Sequence, residues 1–240
     1  MQPTTPTPMV IQRREVKYRM TQAQKAILLE TMAGHMEPDS YGRSEIRSLY
    51  FDTPDFLLAR RSREKPLFKE KLRLRSYGPA AEDSTVYLEV KRKFESLVYK
   101  RRIALPYGQA MACLLHGAAL PDNQIGRELE YARNLYHDPV PAAYIRCMRE
   151  AYFDPAGTDF RVTFDDSLVY RREALTLKGE NWGQPMLSEN EVLMELKIPD
   201  SYPLWMARAL SELDLFPTSY SKYGAVWDQV MMKGWISNAG

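Results

Sequence analysis

Cysteine, histidine and long apolar runs are what this 240-residue sequence has least of. Its two cysteines, Cys113 and Cys147, lie in apolar contexts with no CxxC or Cys/His spacing. That excludes a disulfide framework and reads as two reduced core thiols, which fits a cytoplasmic protein. The three histidines show no chelating spacing. No segment approaches the ~20 apolar residues that cross a bilayer, so membrane association would need a partner protein that supplies the span. The opening MQPTTPTPMVIQ has no basic region and no apolar core for a signal peptide. Residues 1–10 read as a flexible tail, followed by one unit over 11–240. No GxxxxGK[ST] occurs, so a nucleotide is not cradled by a P-loop.

Charge of one sign is also scarce overall: 33 Lys and Arg against 31 Asp and Glu leave a net charge of +2. That is too little to predict nucleic-acid binding. The basic charge is local instead. Residues 69–102 hold ten Lys or Arg (69, 71, 73, 75, 91, 92, 93, 100, 101, 102) and five acids (70, 82, 83, 89, 95), the concentration a site for a polyanion requires.

Period-2 alternation recurs along the chain, and each time one face carries charge. In KEKLRLRSY, Lys69, Lys71, Arg73 and Arg75 oppose Leu72 and Leu74. In RREVKYRM, Glu15, Lys17 and Arg19 oppose Val16, Tyr18 and Met20; in VYLEVKRKF, Tyr87, Glu89, Lys91 and Lys93 oppose Val86, Leu88 and Val90. LVYKRRIAL sets Lys100 and Arg102 against Ile103, and EVLMELKIP sets Glu191, Glu195 and Lys197 against Val192, Met194, Leu196 and Ile198. With EIRSLYFDT, YIRCMREAYFD (Arg149) and DFRVTFDDSLVYRR (Arg161), this makes about eight strands.

Helical patterns lie between them. Thr21 caps a helix over residues 22–35 with Ala26, Ile27, Leu29 and Met32 as its apolar stripe. A helical pair over 107–137 is broken by Gly117 and Pro121, and residues 203–215 place Leu204, Ala207, Leu210 and Leu213 at helical spacing. A last helix covers 223–235. The class is α+β: a closed antiparallel β-barrel of about eight strands, its charged faces turned into a tunnel and its apolar faces covered by helices outside. The tyrosines and tryptophans, Trp205 and Trp227 among them, read as core or outer cover rather than base-stacking platforms.

KYRM at 17–20, SLYFDTPDF at 48–56, KLRLRSYG at 71–78, LEVKRK at 88–93, VYKRR at 98–102, LMELKIP at 193–199 and SYSKYG at 219–224 occur in this order. Together with the arginines of CMREAYFD and DFRVTFDD, they make the chain resemble the VTC-type polyphosphate polymerase domains of the triphosphate tunnel metalloenzyme superfamily. The resemblance implies a tunnel whose basic residues grip a triphosphate and whose acids hold a divalent metal. Matched by position, the gripping and catalytic set would be Lys17, Arg73, Arg75, Lys91, Lys100, Arg149, Arg161 and Lys222. Lys197 would join Arg73, Arg75 and Lys91 in holding the nucleotide. Glu195 would be the foremost metal ligand, with Glu89 and Glu15 behind it, and the metal would be Mn²⁺ or Mg²⁺, hard ions suited to carboxylate and phosphate oxygens. The hydrolase branch carries Glu-x-Glu-x-Lys on its first strand; residues 13–17 here are Arg, Arg, Glu, Val, Lys. Arg13 in place of the first Glu favours the polymerase branch.

The expected partners are therefore ATP and polyphosphate, with no nucleic acid. The expected reaction is transfer of the terminal phosphoryl group of ATP to a growing polyphosphate chain. Two alternatives stay open at the sequence level: metal-dependent hydrolysis of triphosphate or tripolyphosphate, and a non-catalytic module that binds polyphosphate or inositol phosphates.

Overall fold

The computed structural model describes residues 14–237 apart from 65, 66, 96, 138 and 200. The expected tail, residues 1–10, and Arg13 lie outside the described residues. In chain order the elements are β1 (Arg14–Thr21), α1 (Gln22–Met32), β2 (Glu37–Pro38), β3 (Ser44–Asp52), α2 (Leu57–Arg63), β4 (Phe68–Tyr77), β5 (Thr85–Phe94) and β6 (Leu97–Pro106). Next come α3 (Tyr107–Leu115), α4 (Gln124–Leu135), β7 (Val140–Phe153), β8 (Arg161–Arg171), β9 (Gln184–Pro185), β10 (Glu191–Ile198), α5 (Leu204–Glu212), β11 (Pro217–Thr218) and α6 (Lys222–Ser237). Among the described residues the strands longer than two residues number eight, as the alternation predicts, and all pair antiparallel in one sheet.

The sheet order is β11-β1-β10-β8-β7-β3-β4-β5-β6, with β2 on β7 and β9 on β8. This corrects the expected hydrogen-bonded ring: among the described residues no ladder joins β6 to β1 or β11. A physical reason lies at the seam, where the outer edge of β1 is taken by two-residue β11. Pro217 in that strand has no N–H to carry the ladder further. The sheet nevertheless curls strongly. β1 and β5 are six places apart, roughly 29 Å in a flat sheet. Yet Lys91 Nζ of β5 lies 2.6 Å from Glu15 Oε2 of β1. Irregular register at Tyr50/Phe51 and at Arg146/Met148 supplies local bends.

Apolar faces point outward under helices. Tyr18 and Met20 of β1, Val162 and Phe164 of β8 and Met194 and Leu196 of β10 pack beneath Leu28 and Met32 of α1 and Met206 and Ala209 of α5. Leu49, Leu72, Leu74, Leu88 and Val90 form a second outer core beneath α3 and α4. A third core is on the concave side, where Tyr223 and Val226 of α6 meet Tyr50, Ile145, Cys147 and Leu193. Both cysteines are buried and unbonded. No helix among the described residues is long and apolar enough to cross a membrane.

Thr21 caps α1 as expected, in a reciprocal box: its Oγ1 accepts from Gln24 N at 3.1 Å while Gln24 Oε1 accepts from Thr21 N at 2.9 Å. The buried stripe differs from the expected one, since Leu28 and Lys25 face inward and Ile27 is 52% exposed. Lys25 is drawn in by Glu150, 2.7 Å away. α5 is likewise rotated, burying Met206, Ala209 and Leu210 and exposing Leu204. The helix α2 was not legible in the sequence. Its first turn is organised by Asp52, whose carboxylate accepts from Leu58 N at 2.8 Å and Ala59 N at 2.9 Å.

Candidate phosphate-binding trough

Antiparallel register aligns the charged residues into rows across the concave face. Lys71, Lys91 and Lys100 are consecutive cross-strand partners on β4, β5 and β6. Like charges placed directly opposite destabilise a sheet, so three lysines in a row are a cost that an anion would relieve. The next row reads Tyr50, Arg73, Glu89, Arg102, and the one after it Ser48, Arg75, Tyr87, Ala104. On the facing wall, Lys17 opposes Glu195, and Lys197 lies between Glu15 and Arg161.

Two carboxylates are sealed in the walls and orient cations. Glu89, 1% exposed at its side chain, lies 2.7 Å from Arg73 Nη2 and 2.7 Å from Lys100 Nζ. Asp165, 2% exposed, accepts a two-pronged bond from Arg149 at 2.6 Å on each oxygen and a further bond from Lys222 Nζ at 2.5 Å. Burial alone would raise both acids; instead Arg73, Arg75 and Lys100 hold Glu89 far below the ordinary range, and Arg149 and Lys222 do the same for Asp165.

Two other carboxylates look into the trough. Glu195 lies 3.7 Å from Lys17 Nζ and 3.7 Å from Lys197 Nζ, and Glu15 pairs with Lys91. Against the penalty of burial, Lys17, Lys197, Lys91 and Arg149 hold Glu195 well below the usual carboxylate value. Glu15 is also lowered, burial and the nearby Glu195 opposing the pull of Lys91.

The cations outnumber these four acids: Lys17, Lys71, Arg73, Arg75, Lys91, Lys100, Arg149, Lys197 and Lys222 make nine. Arg75 Nε is buried without a hydrogen-bond partner. Burial depresses Arg75, and Arg73 and Arg149 add to the effect. Lys71 Nζ donates to Ser221 Oγ at 2.8 Å, and Lys17 Nζ donates to Tyr220 O at 2.7 Å. Burial first, then Lys17, Lys91, Arg73 and Lys69, push Lys71 well below its ordinary value. Lys100, 36% exposed, is lowered to about 7 by burial and by Arg75 and Arg73, with Glu89 opposing. Lys71, Arg75 and Lys100, whose charged forms are disfavoured by burial and by neighbouring cations, mark a site prepared for negative charge.

Eight of the nine residues expected to grip phosphate or nucleotide thus meet in one trough. Arg161 shares the row of Glu15 and Lys197 but is 54% exposed, with Asp159 at 3.8 Å, so it stands at the rim. Of the expected metal ligands, Glu15 and Glu195 lie within electrostatic reach of each other. Glu89 is sealed in the wall and paired with Arg73 and Lys100. No group of three or more His, Cys, Asp or Glu suited to a metal occurs among the described residues. Two open carboxylates fit Mg²⁺ or Mn²⁺ if phosphate oxygens and water complete the shell. Sequence reasoning set Lys71 on the charged face but left it out of the gripping set, and missed Asp165 and Tyr50. Lys71 and Asp165 carried a usable signal, since they share a face by alternation with Arg73 and with Arg161. A groove of about 530 Å³ lined by Phe68, Tyr131 and Leu135 lies on the opposite, outer side of β4, away from these charges.

The family model described as VTC domain matches residues 12–230. Among solved structures, a candidate adenylyl cyclase from Hippeastrum, described as having a dominant triphosphatase activity, superimposes with a TM-score of 0.57 at 16% identity, covering 90% of this chain and 96% of that one. A candidate adenylate cyclase from Bacillus halodurans gives 0.54 at 12% identity, over 87% and 93%. No curated protein matches the sequence.

Proposed function

The chain belongs to the VTC domain family, and from that premise we propose that it is a metal-dependent phosphotransferase that makes polyphosphate from ATP. The terminal phosphoryl group moves to the end oxygen of a polyphosphate chain. The bond from that phosphorus to the β,γ-bridging oxygen breaks, a new P–O bond forms, and ADP leaves. The observation that carries the reading is the cation excess on a strongly curled concave face, assembled from strands at both ends of the sheet.

Phosphoryl transfer asks a protein mainly for positioning and charge stabilisation. Arg73 and Arg75 present planar forks to non-bridging oxygens, while Lys71, Lys91 and Lys100 act as point charges along the adjoining row. Glu89 and Asp165 hold Arg73, Lys100, Arg149 and Lys222 in fixed rotamers, so the grip is formed before substrate arrives. Glu15 and Glu195 would hold Mg²⁺ or Mn²⁺, which when bound neutralises charge on the transferring group.

Hydrolysis by the same grip is the second reading. It is favoured by α6, whose Tyr223 and Val226 occupy part of the concave side and leave less room for a long chain. Incubation with labelled ATP, with and without Mn²⁺, separates the two. A metal-dependent ladder of long chains supports the polymerase, orthophosphate alone supports the hydrolase, and metal-independent binding without turnover supports a binding module.

A further inference from the structure

Beyond Arg75 the trough changes character. The same β4 face continues to Tyr77, two residues or ~7 Å further on, and the residue directly across from Arg75 is Tyr87. Tyr87 meets Tyr77 edge-to-face at 5.9 Å and carries the Arg102 guanidinium 4.9 Å above its ring. Tyr41 lies parallel to Tyr77, with 18° between the planes and centroids 6.5 Å apart. Tyr41 and Tyr77 are 78% and 52% exposed, so neither ring serves the core.

The segment that presents Tyr41 is anchored on both sides. Asp39 N donates to Ala151 O at 2.8 Å, and Tyr41 N donates to Asp39 Oδ1 at 3.0 Å. Gly42 takes φ +56° to turn the chain. Arg43 then binds both oxygens of Asp166 at 2.7 Å. The ring is thus displayed from a fixed turn rather than from a free tip.

We propose that Tyr41, Tyr77 and Tyr87 form a subsite for the base of a nucleoside triphosphate, set at the mouth that adjoins Arg75. The proposal rests on the reading of the trough as a phosphate grip. Bases stack on aromatic side chains in a sequence-tolerant way, and the exposed, near-parallel rings of Tyr41 and Tyr77 offer such a surface. A flat apolar ring beyond a row of phosphate-binding cations is the order of groups in a nucleoside triphosphate, and bare tripolyphosphate has nothing to place there. The tyrosines of this mouth are therefore assigned to stacking, against their expected part as core or cover.

Titrations of the whole chain with a non-hydrolysable ATP analogue and with inorganic tripolyphosphate test this. The double variant Tyr41→Ala/Tyr77→Ala should lose roughly tenfold in affinity for the analogue and leave tripolyphosphate unchanged, while Tyr77→Phe, which keeps the ring, should bind both as the unaltered chain does. Equal losses for both ligands, or no loss for either, would overturn the subsite. If tripolyphosphate binds and Arg75→Ala weakens it while the tyrosine variants leave the analogue untouched, the subsite falls and the phosphate grip stands. If tripolyphosphate does not bind at all, the grip itself falls and takes the subsite with it.

Discussion

The two walls of the trough use charge differently. The wall of β4, β5 and β6 carries Lys71, Arg73, Arg75, Lys91 and Lys100 around a single sealed acid, Glu89. The facing wall of β1, β10, β8 and β7 alternates acid with base: Glu15 and Glu195 beside Lys17 and Lys197, and Asp165 beside Arg149, with Lys222 of α6 reaching in. The first wall is short of negative charge and can be satisfied by phosphate. The second is nearly balanced and has two carboxylates turned toward the opening. The contrast points to a division of labour, with phosphate held by one wall and metal by the other.

Substitutions on each side sharpen or break that division. Glu195→Gln should lower turnover about 100- to 1000-fold with a much smaller change in phosphate affinity, read from steady-state rates over a Mn²⁺ titration. Equal losses in rate and binding would erase the distinction between the walls. Glu89→Gln should act on the fold, because removing one partner of a sealed ion pair costs about 3–5 kcal/mol; denaturant unfolding measures it. Arg75→Met should weaken tripolyphosphate on the order of 100-fold with little change in melting temperature, since Arg75 Nε has no hydrogen-bond partner in the fold. A fall in both would mean that Arg75 is structural.

Smaller effects concern pH and the rim. Lys100 is lowered to about 7, so its charge is present below that pH and lost above it. Anion affinity should fall as pH rises through 7, by at most ~tenfold per unit for one proton, with proton uptake on binding seen by calorimetry in buffers of different ionisation enthalpy. Lys100→Arg keeps its charge and should remove the part of the dependence centred there. Glu15 and Glu195 are held below their ordinary values and contribute nothing to that window. Arg161→Ala, at the exposed rim, should change affinity by no more than about fivefold in the same titration.

The eight long strands were legible because alternation is a local, period-2 signal, and each charged face could be read from one segment at a time. The α1 cap was legible for the same reason: Thr21 and Gln24 are three residues apart. What failed was orientation set by distant partners. Ile27 looked like core until Lys25 met Glu150 across 125 residues. The place of Tyr77 and Tyr87 beside Arg75 likewise depends on the pairing of β4 with β5. Glu89 reads from the sequence as a metal ligand, whereas its pairing with Arg73 and Lys100 appears only in the fold.

The residue order alone therefore determined the strands, their charged and apolar faces and the excess of cations to be gathered somewhere. Only the tertiary structure decided that no ladder closes the ring at β6 among the described residues, that Glu15 reaches Lys91 from 76 residues away, and which acids are sealed inside the walls. Face alternation follows from backbone geometry within a strand, whereas charge pairing depends on how far a curled sheet brings its two ends together.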